Sequence, residues 1–325
     1  MASTTSSNRA TFSAYLATPV MSIIGNVIAS LIFIYVLDDP SPVPVFGVFT
    51  LFNVINMTLF ALLPKKKKPI VRHVNMVLFT LVLVVLFGTL GRVNLQIEGL
   101  FFLTAAGVFG AATTHFLMAK IIGPILFGRN WCGWACWTVM LLDFLPWKKS
   151  AGWQDGGWKN ARYIHFAFSL TAVLGLALGL NYIPHNPAQH PEEPGTVAEL
   201  AWFLGGVGIY YLAGVILAAR MKDNRAFCKY LCPIAVFLKA GASVTLLRIK
   251  GDKSRCDSCN TCVTECLMDI DIPSYVLKGE RIKSTECIMC MQCIAACPNG
   301  ALKAGVGVDV VSREKWRLRE SDNHS

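Results

Sequence analysis

Charged side chains are scarce in this sequence, and their scarcity excludes an ordinary soluble domain. Only 15% of the 325 residues are Asp, Glu, Lys or Arg, whereas soluble domains carry about 25%. Hydrophobic residues make up 54% and the mean hydropathy is +0.49, values that are typical of a chain that spans a membrane. No catalytic acid, base or nucleophile stands out, so the sequence by itself does not predict turnover of a small substrate.

The sequence also lacks a basic signal peptide and a basic surface for nucleic acid. Arg9 is the only charged residue among the first 15, and a long apolar run follows them, so we expect this segment to be retained. Residues 248–325 hold 12 Lys+Arg and 11 Asp+Glu, so the net charge of +10 lies almost wholly in the preceding apolar part. Charge placed there reports membrane topology, and no nucleic-acid partner is expected.

Six apolar segments are long enough to cross a hydrocarbon core, which takes about 20 helical residues. They cover roughly residues 14–37, 44–63, 74–91, 99–123, 162–183 and 199–220. Buried helices of a large soluble protein are the alternative interpretation. The charge alternation described next argues against it.

Lysine and arginine concentrate in every second connection between these segments. The basic connections contain Lys65–Lys68, Arg72, Arg129, Lys148, Lys149, Lys159, Arg162, Arg220, Lys222 and Arg225. The fifth connection, His185–Glu193, has neither Lys nor Arg. Because basic connections stay in the cytoplasm, we predict a multi-pass protein of the inner (cytoplasmic) membrane with both termini cytoplasmic.

Eight of the 12 cysteines form two complete runs with ferredoxin spacing. The runs are Cys256-x2-Cys259-x2-Cys262-x3-Cys266 and Cys287-x2-Cys290-x2-Cys293-x3-Cys297-Pro298. In two-cluster ferredoxins the fourth cysteine of a run ligates the other cluster. We therefore predict one [4Fe–4S] cluster on Cys256, Cys259, Cys262 and Cys297. A second is predicted on Cys287, Cys290, Cys293 and Cys266. Zinc is the competing interpretation, but zinc sites usually use two separated pairs.

The predicted architecture is an all-α polytopic bundle of about six transmembrane helices followed by an α+β two-cluster ferredoxin domain. We place the membrane domain at residues 1–247, the ferredoxin domain at 248–305 and a tail at 306–325. Between the cysteine runs, Asp269–Pro273 and Ser274–Ile282 are compatible with strands, with a turn at Lys278-Gly279.

The other four cysteines form an internal repeat at the edge of the membrane domain. Arg129-Asn-Trp131-Cys132-Gly-Trp134-Ala-Cys136 and Arg225-Ala-Phe227-Cys228-Lys-Tyr230-Leu-Cys232 share the pattern Arg-x-aromatic-Cys-x-aromatic-x-Cys. Residues at i and i+4 of a helix lie on one face, so two such pairs present four thiols. A third iron–sulfur or metal site, a thiol or disulfide relay, and simple buried packing are the three interpretations. A relay is disfavoured because helical i,i+4 geometry and a reducing compartment oppose disulfides.

These pairs and the two-cluster tail resemble the NapH/NosR-type membrane ferredoxins over about residues 99–304. The resemblance implies quinol-linked electron transfer toward a reductase. The family's pairs usually read Cys-x3-Cys-Pro, which Cys228–Pro233 matches, whereas Trp137 replaces the first proline. A family role therefore transfers less securely to Cys132 and Cys136. No flavin-attachment sequence of the Ser-Gly-Ala-Thr type is found in an extracytoplasmic segment, so a NosR-like whole is not expected.

The leading hypothesis is an electron-transfer subunit that connects the cytoplasmic clusters with quinone or another redox partner, such as a reductase subunit. One alternative is a copper reductase or oxidase-assembly factor, because assembly ferredoxins share the Cys-Gly-Trp-Ala-Cys core. Another is a redox-sensing regulatory protein. The weaker site candidates are His115 and His165, for which packing is favoured over a quinone or haem role, and Asp143, as a proton acceptor or helix cap. Lys120 is expected to extend to the interface.

Overall fold

A computed structural model describes residues 15–36, 38, 40, 43–107, 111–147, 152–153, 157–184, 195–309 and 314. Within these ranges, five helices are long and apolar enough to cross a membrane. They are α1 (Ala17–Tyr35), α2 (Val43–Leu62), α3 (Lys65–Leu90), α8 (Gly157–Gly179) and α9 (Val197–Met221). Only 22–39% of their most apolar stretches is buried inside the protein. The remaining apolar surface therefore faces outward, as it does in contact with lipid.

The prediction of a single helix over residues 99–123 is wrong. The chain forms α4 (Ile97–Ala105) and then the apolar helix α5 (Thr113–Phe127). Gly107 follows α4 with a φ of +70°, a left-handed conformation that glycine adopts without steric cost and that a right-handed helix does not continue. This crossing is therefore a broken helix.

The predicted third span, 74–91, begins too late. Helix α3 begins at Lys65, so the lysine run is part of the helix and does not belong to the preceding connection. Lys68 is buried, and its ammonium donates to the carbonyl oxygens of Phe60 and Ala61 at the end of α2. A lysine that caps a neighbouring helix C-terminus in this way is compatible with burial.

The connections alternate between the two ends of the bundle. At one end, the Gly195 N–H donates to the Gly91 carbonyl oxygen (3.3 Å), and the Asn94 N–H donates to Glu199 (3.0 Å). At the other end, the Lys65 ammonium donates to the Cys297 carbonyl oxygen (3.3 Å). The lysine run thus meets the cysteine-rich domain. The predicted loop His185–Glu193 lies outside the described residues, as do Lys148 and Lys149.

At the end of the bundle that carries the lysine run, short helices connect the spans to the cysteine-rich domain. They are α6 (Asn130–Trp134), α7 (Trp137–Leu142), α10 (Phe227–Leu231) and α11 (Ile234–Ser243). The domain itself contains α12 (Thr261–Thr264), α13 (Ile272–Val276) and α14 (Gln292–Ala296). Strands β1 (Leu247–Gly251) and β2 (Leu302–Val306) pair antiparallel, with Leu247 opposite Val306.

The predicted strands between the cysteine runs are wrong, although the turn at Lys278-Gly279 is present, with Gly279 at a φ of +71°. Residues 272–276 form helix α13 instead. The Asp271 side chain accepts the Ser274 N–H (3.3 Å), and Pro273 lies in the first turn. An Asp N-cap and an early proline both favour helix initiation.

The bundle and the cysteine-rich domain share one apolar core. Phe60 of α2 packs edge-to-face on Trp134 of α6, with ring centroids 5.1 Å apart. The same buried cluster contains Tyr230 from α10 and Ile288 and Met289 from the second cysteine run. The two parts are therefore packed as one body around the membrane-edge repeat.

Candidate functional site

The two cysteine runs have matched backbone conformations. Ser258 and Met289 occupy the same place in their runs and have φ values of 57° and 50°. Asn260 and Met291 are the next matched pair, with φ values of 58° and 61°. Left-handed backbone is uncommon for residues with a side chain, and its repetition turns successive peptide groups around each thiol set.

The fourth cysteine of each run is matched as well. The Ile270 N–H donates to Cys266 Sγ (3.4 Å), and the Ala301 N–H donates to Cys297 Sγ (3.2 Å). Both donors lie four residues after their cysteine. Hydrogen bonds to sulfur are among the features that set the reduction potential of an iron–sulfur cluster.

The eight ferredoxin thiols form two groups, and each group has members from both runs. Cys262 interacts electrostatically with Cys297, Cys256 and Cys259, and these four line one cavity. Cys293 interacts mainly with Cys290, Cys287 and Cys266, and those four line a second cavity. Each cavity therefore draws three cysteines from one run and the fourth from the other.

The membrane-edge pairs have the same backbone as each other, but neither pair lies on one regular helix. Cys132 lies in α6 and Cys228 in α10, and each of these helices ends before the second cysteine of its pair. Cys136 has φ −76° and ψ 117°, and Cys232 has φ −61° and ψ 114°. The expectation of a continuous i,i+4 face is therefore wrong. Pro233 favours extended backbone at Cys232, and Cys136 adopts it before Trp137.

The fold brings all four membrane-edge thiols together in the protein interior. Cys228 interacts electrostatically with Cys232, Cys136 and Cys132, and burial raises the pKa of Cys232 to about 12, with Cys132 and Cys136 adding to the effect. Thiols in such surroundings stay protonated unless a metal takes the thiolate form. Among the described residues, the ferredoxin sets included, no three His, Cys, Asp or Glu side chains are arranged closely enough to bind one metal ion.

Glu286, immediately before Cys287, is fully buried and fixes the cysteine-rich domain to the bundle. It pairs with Arg129, with Arg162 (2.8 Å) and with Lys239 (2.7 Å). Burial opposes its ionisation, yet Arg129, Arg162 and Lys239 together lower the pKa of Glu286 well below its usual range. A buried carboxylate is stable only with such compensation.

Asp143 makes the corresponding network for the second arginine of the repeat. It pairs with Arg72 (2.7 Å) and Arg225 (2.8 Å), and although burial acts to raise the pKa of Asp143, these guanidinium groups lower it. Arg225 also donates to the Cys132 carbonyl oxygen (3.1 Å), and Arg72 donates to that of Gly133 (3.1 Å). Asp143 thus holds the repeat in place, in addition to ending helix α7.

A third buried network of ion pairs connects the first cysteine run with the repeat. The Lys229 ammonium contacts Asp223 and Asp269, each at 2.7 Å. Lys229 follows Cys228, and Asp269 lies three residues after Cys266. The Trp153 indole N–H donates to the neighbouring Met268 carbonyl oxygen (2.8 Å). The loop after the first run is therefore tied directly to the second membrane-edge pair.

The second cysteine run lies directly against the first membrane-edge pair. A Cβ added to Gly133 would lie 2.3 Å from the Ile288 carbonyl oxygen and 3.3 Å from the Cys290 Cα. The Trp134 indole N–H donates to the Met289 carbonyl oxygen (2.9 Å). Only a glycine between Cys132 and Trp134 allows this close approach.

The two candidate histidines, His165 and His115, occupy different environments. The His165 Nδ1 is 2.9 Å from the Leu231 carbonyl oxygen, next to Cys232. The His115 ring packs edge-to-face on Trp131, with centroids 4.9 Å apart, and its Nε2 has no partner among the described residues. His165 is thus a hydrogen-bonded packing residue, whereas His115 lies beside a cavity.

That cavity, of about 830 Å³, lies within the membrane domain. It is lined by helices α1, α2, α3 and α5 and by residues that flank the first membrane-edge pair, including His115, Asn75, Trp131 and Ala135. Its lining is mainly apolar, and its size falls within the range of ligand pockets, about 300–1,000 Å³.

The sequence did not lead us to predict that Glu286, Asp269 and Arg72 take part in the site. A signal for the first two was present, because each is an acidic residue close to a cysteine run in a chain poor in charge. Their partners lie more than 30 positions away, and spacing alone does not reveal such pairs.

Comparison with protein families gives two matches. A family described as a 4Fe-4S dicluster domain matches residues 255–302. A family described as a 4Fe-4S binding domain matches residues 109–153 and 197–250, which contain the two membrane-edge pairs. The fold and these matches define a multi-pass iron–sulfur protein of the ferredoxin type.

The chain belongs to the same family as the uncharacterized protein MJ0750 of Methanocaldococcus jannaschii, to which it is 32% identical over 194 residues, 57% of this chain and 76% of that protein. It is 24% identical over 199 residues to YccM of Escherichia coli, named for electron transport, covering 58% of this chain and 54% of YccM.

A further relative is the methylamine utilization ferredoxin-type protein MauN of Methylorubrum extorquens. It is 25% identical over 166 residues, covering 50% of this chain and 56% of MauN. The chain therefore spans about half the length of YccM and of MauN. No solved structure matches the chain.

Proposed function

We propose that this protein transfers electrons between a protein partner at its cysteine-rich domain and a quinone in the bilayer. Three [4Fe–4S] clusters would supply the one-electron chemistry. The proposed ligands are Cys256, Cys259, Cys262 and Cys297 for the first cluster, and Cys287, Cys290, Cys293 and Cys266 for the second. Cys132, Cys136, Cys228 and Cys232 are the proposed ligands of the third.

The observation that carries the proposal is the contiguity of the three cysteine sets. Cys262 of the first set interacts electrostatically with Cys293 of the second. Cys290 of the second set contacts Gly133, which follows Cys132 of the third. The protein's own contribution is to hold these sets in series through the buried ion pairs of Glu286 and Asp269.

The two ends of this series suit different partners. Cys259 of the first set is exposed, so a protein redox partner has access there, as the names of YccM and MauN favour. The basic connections lie at this same end, which supports a cytoplasmic location for it and for both termini. The proposed location is the inner membrane.

The quinone end rests on the membrane cavity. Trp131 and Ala135 line it and flank the third cysteine set, so a ring bound there would lie beside that set. Oxidation of a quinol releases two electrons and two protons, and reduction of a quinone takes them up. The His115 ring and the unpartnered Oδ1 of the Asn75 side chain are two polar groups that line the cavity and are available for hydrogen bonds to such a ring. The resemblance to NapH-type ferredoxins favours the same ligand class.

Iron quantification with EPR on the full-length protein in detergent tests the proposal. We expect about 12 iron atoms per chain, because each cubane holds four, falling to about eight in Cys132→Ser and in Cys228→Ser. Cys259→Ser is the matched control, since it should disturb the first cluster and leave the third spectrum in place. Iron near eight in the unaltered protein, unchanged in the two membrane-edge variants, would exclude the third cluster.

A separate measurement tests the quinone end. Reduced protein mixed with a short-chain quinone analogue in detergent should reoxidise, and Ala135→Trp, which fills the cavity, should slow that reaction. Equal rates in both proteins would remove quinone from the proposal while leaving the cluster series intact.

A further inference from the structure

Lys120 is a buried lysine that has no ion-pair partner among the described residues. Only 3% of the residue is exposed, so the expectation that it extends to the membrane interface is wrong. Its ammonium lies 3.5 Å from the centroid of the Trp131 ring and 5.9 Å from that of Trp137. These rings flank the first membrane-edge pair, because Trp131 precedes Cys132 and Trp137 follows Cys136.

No described carboxylate lies within ion-pair distance of Lys120. The neighbouring arginines differ from it in this respect, since Arg129 pairs with Glu286 and Arg225 pairs with Asp143. Aromatic faces attract a cation, but an ammonium without an opposite charge is costly to bury. Burial disfavours the ammonium form of Lys120, and the groups that favour it are the thiolate forms of Cys136, Cys132 and Cys232.

Lys120 lies in an irregular part of helix α5. Residues 117–122 form a widened π-helical turn, and Pro124 lacks the N–H that would donate to the Lys120 carbonyl oxygen. Such turns occur frequently at functional sites. The flanking residues Met118, Ala119 and Ile122 line the membrane cavity, and Lys120 does not. Helix α5 therefore lines the cavity with these residues and places its only lysine, Lys120, on the Trp131 ring.

We infer that Lys120 is the counter-ion of the third cluster and raises its reduction potential. This inference rests on the proposed third cluster. A cubane held by four thiolates is a net anion, and reduction adds one electron and one further negative charge without making or breaking a bond. A fixed ammonium stabilises the reduced form more than the oxidised form. Electrons that enter through the ferredoxin domain are thereby drawn to the membrane edge.

The test is an EPR-monitored redox titration of the full-length protein and three variants. Lys120→Met removes the charge and keeps an unbranched apolar side chain. Lys120→Arg keeps the charge. Lys222→Met is the matched control, because the Lys222 ammonium also lies over a tryptophan, 4.8 Å from the Trp147 ring centroid, but the residue is exposed.

Lys120→Met should make reduction of the third cluster at least tenfold less favourable, a shift of 59 mV or more for one electron. The two ferredoxin clusters should keep their potentials, and Lys120→Arg and Lys222→Met should resemble the unaltered protein. Loss of the third cluster in Lys120→Met with retention in Lys120→Arg would also support the counter-ion role.

An unchanged third potential in Lys120→Met would overturn the inference. So would loss of the cluster in both Lys120 variants, because the requirement would then be for the shape of lysine and not for its charge. Iron content in the unaltered protein separates these outcomes from failure of the proposed function, since a value near eight removes the third cluster itself.

Discussion

The ferredoxin runs and the membrane-edge repeat hold their cysteines in different ways. In each ferredoxin run, three cysteines lie within seven consecutive residues, and matched left-handed positions such as Ser258 and Met289 shape the loop around them. In the repeat, each segment supplies only two cysteines, and the four thiols come together only through tertiary contacts such as that of Arg225 with the Cys132 carbonyl oxygen. The first kind of site is local, and the second depends on buried ion pairs between distant segments.

This comparison predicts that the repeat is sensitive to the loss of a buried charge. Glu286→Gln leaves Arg129, Arg162 and Lys239 without their carboxylate, and removing one partner from a buried ion pair costs about 3–5 kcal/mol. We expect a markedly lower midpoint of thermal unfolding in detergent together with loss of membrane-edge iron, a larger effect than in Gly133→Ala or Pro233→Ala.

Glu280→Gln is the control for that variant. The Glu280 carboxylate is partly exposed and lies 3.7 Å from Lys283, a pair of a kind that contributes about 0–1 kcal/mol. Equal unfolding midpoints for Glu286→Gln and Glu280→Gln would show that the buried network does not hold the two parts together.

A smaller effect is expected where the two sites touch. In Gly133→Ala the new methyl group would collide with the Ile288 carbonyl oxygen, and overpacking of this kind costs about 1–3 kcal/mol. None of the ferredoxin cysteines is replaced, so the EPR signals of that domain should persist while the unfolding midpoint falls.

Gly205→Ala provides the matched comparison, because nothing lies within 4 Å of the added Cβ in helix α9. It should leave the midpoint unchanged or raise it slightly, since alanine favours a helix interior over glycine. If Gly133→Ala and Gly205→Ala behave alike, the close contact between the second run and the repeat is not important for stability.

The smallest effect is expected at Pro233. Cys136 and Cys232 share an extended backbone although only Cys232 precedes a proline. Pro233→Ala should therefore keep the iron content and lower stability by no more than about 1 kcal/mol, mainly through the greater freedom of the unfolded chain. A loss of four iron atoms in this variant would show that the proline, and not the packing around it, determines the second pair.

Much of the local organisation was predictable. The apolar runs over residues 44–63 and 199–220 fall on helices α2 and α9, because about 20 apolar residues need no partner to favour a membrane helix. Breaks and extensions were not predictable. Gly107 interrupts the fourth apolar run, and the lysine run extends α3, since Lys68 finds carbonyl oxygens at the end of α2.

The same limit applies inside the cysteine-rich domain. Asp269–Ile282 alternates in a way that is compatible with strands, yet Asp271 and Pro273 begin a helix there. The two strands that do form, β1 and β2, lie at opposite ends of the domain in sequence. Their pairing is a long-range contact that no local pattern indicates.

The sequence by itself determined the ferredoxin spacing, the apolar segments and the alternation of basic connections, because each depends on residues close together in the chain. The tertiary structure decided that the four membrane-edge thiols come together, that Glu286, Asp143 and Asp269 are their buried supports, and that Lys120 packs on Trp131 beside the first pair. The physical reason is that a buried charge needs an opposite charge nearby in space, and in this protein that partner comes from a distant segment.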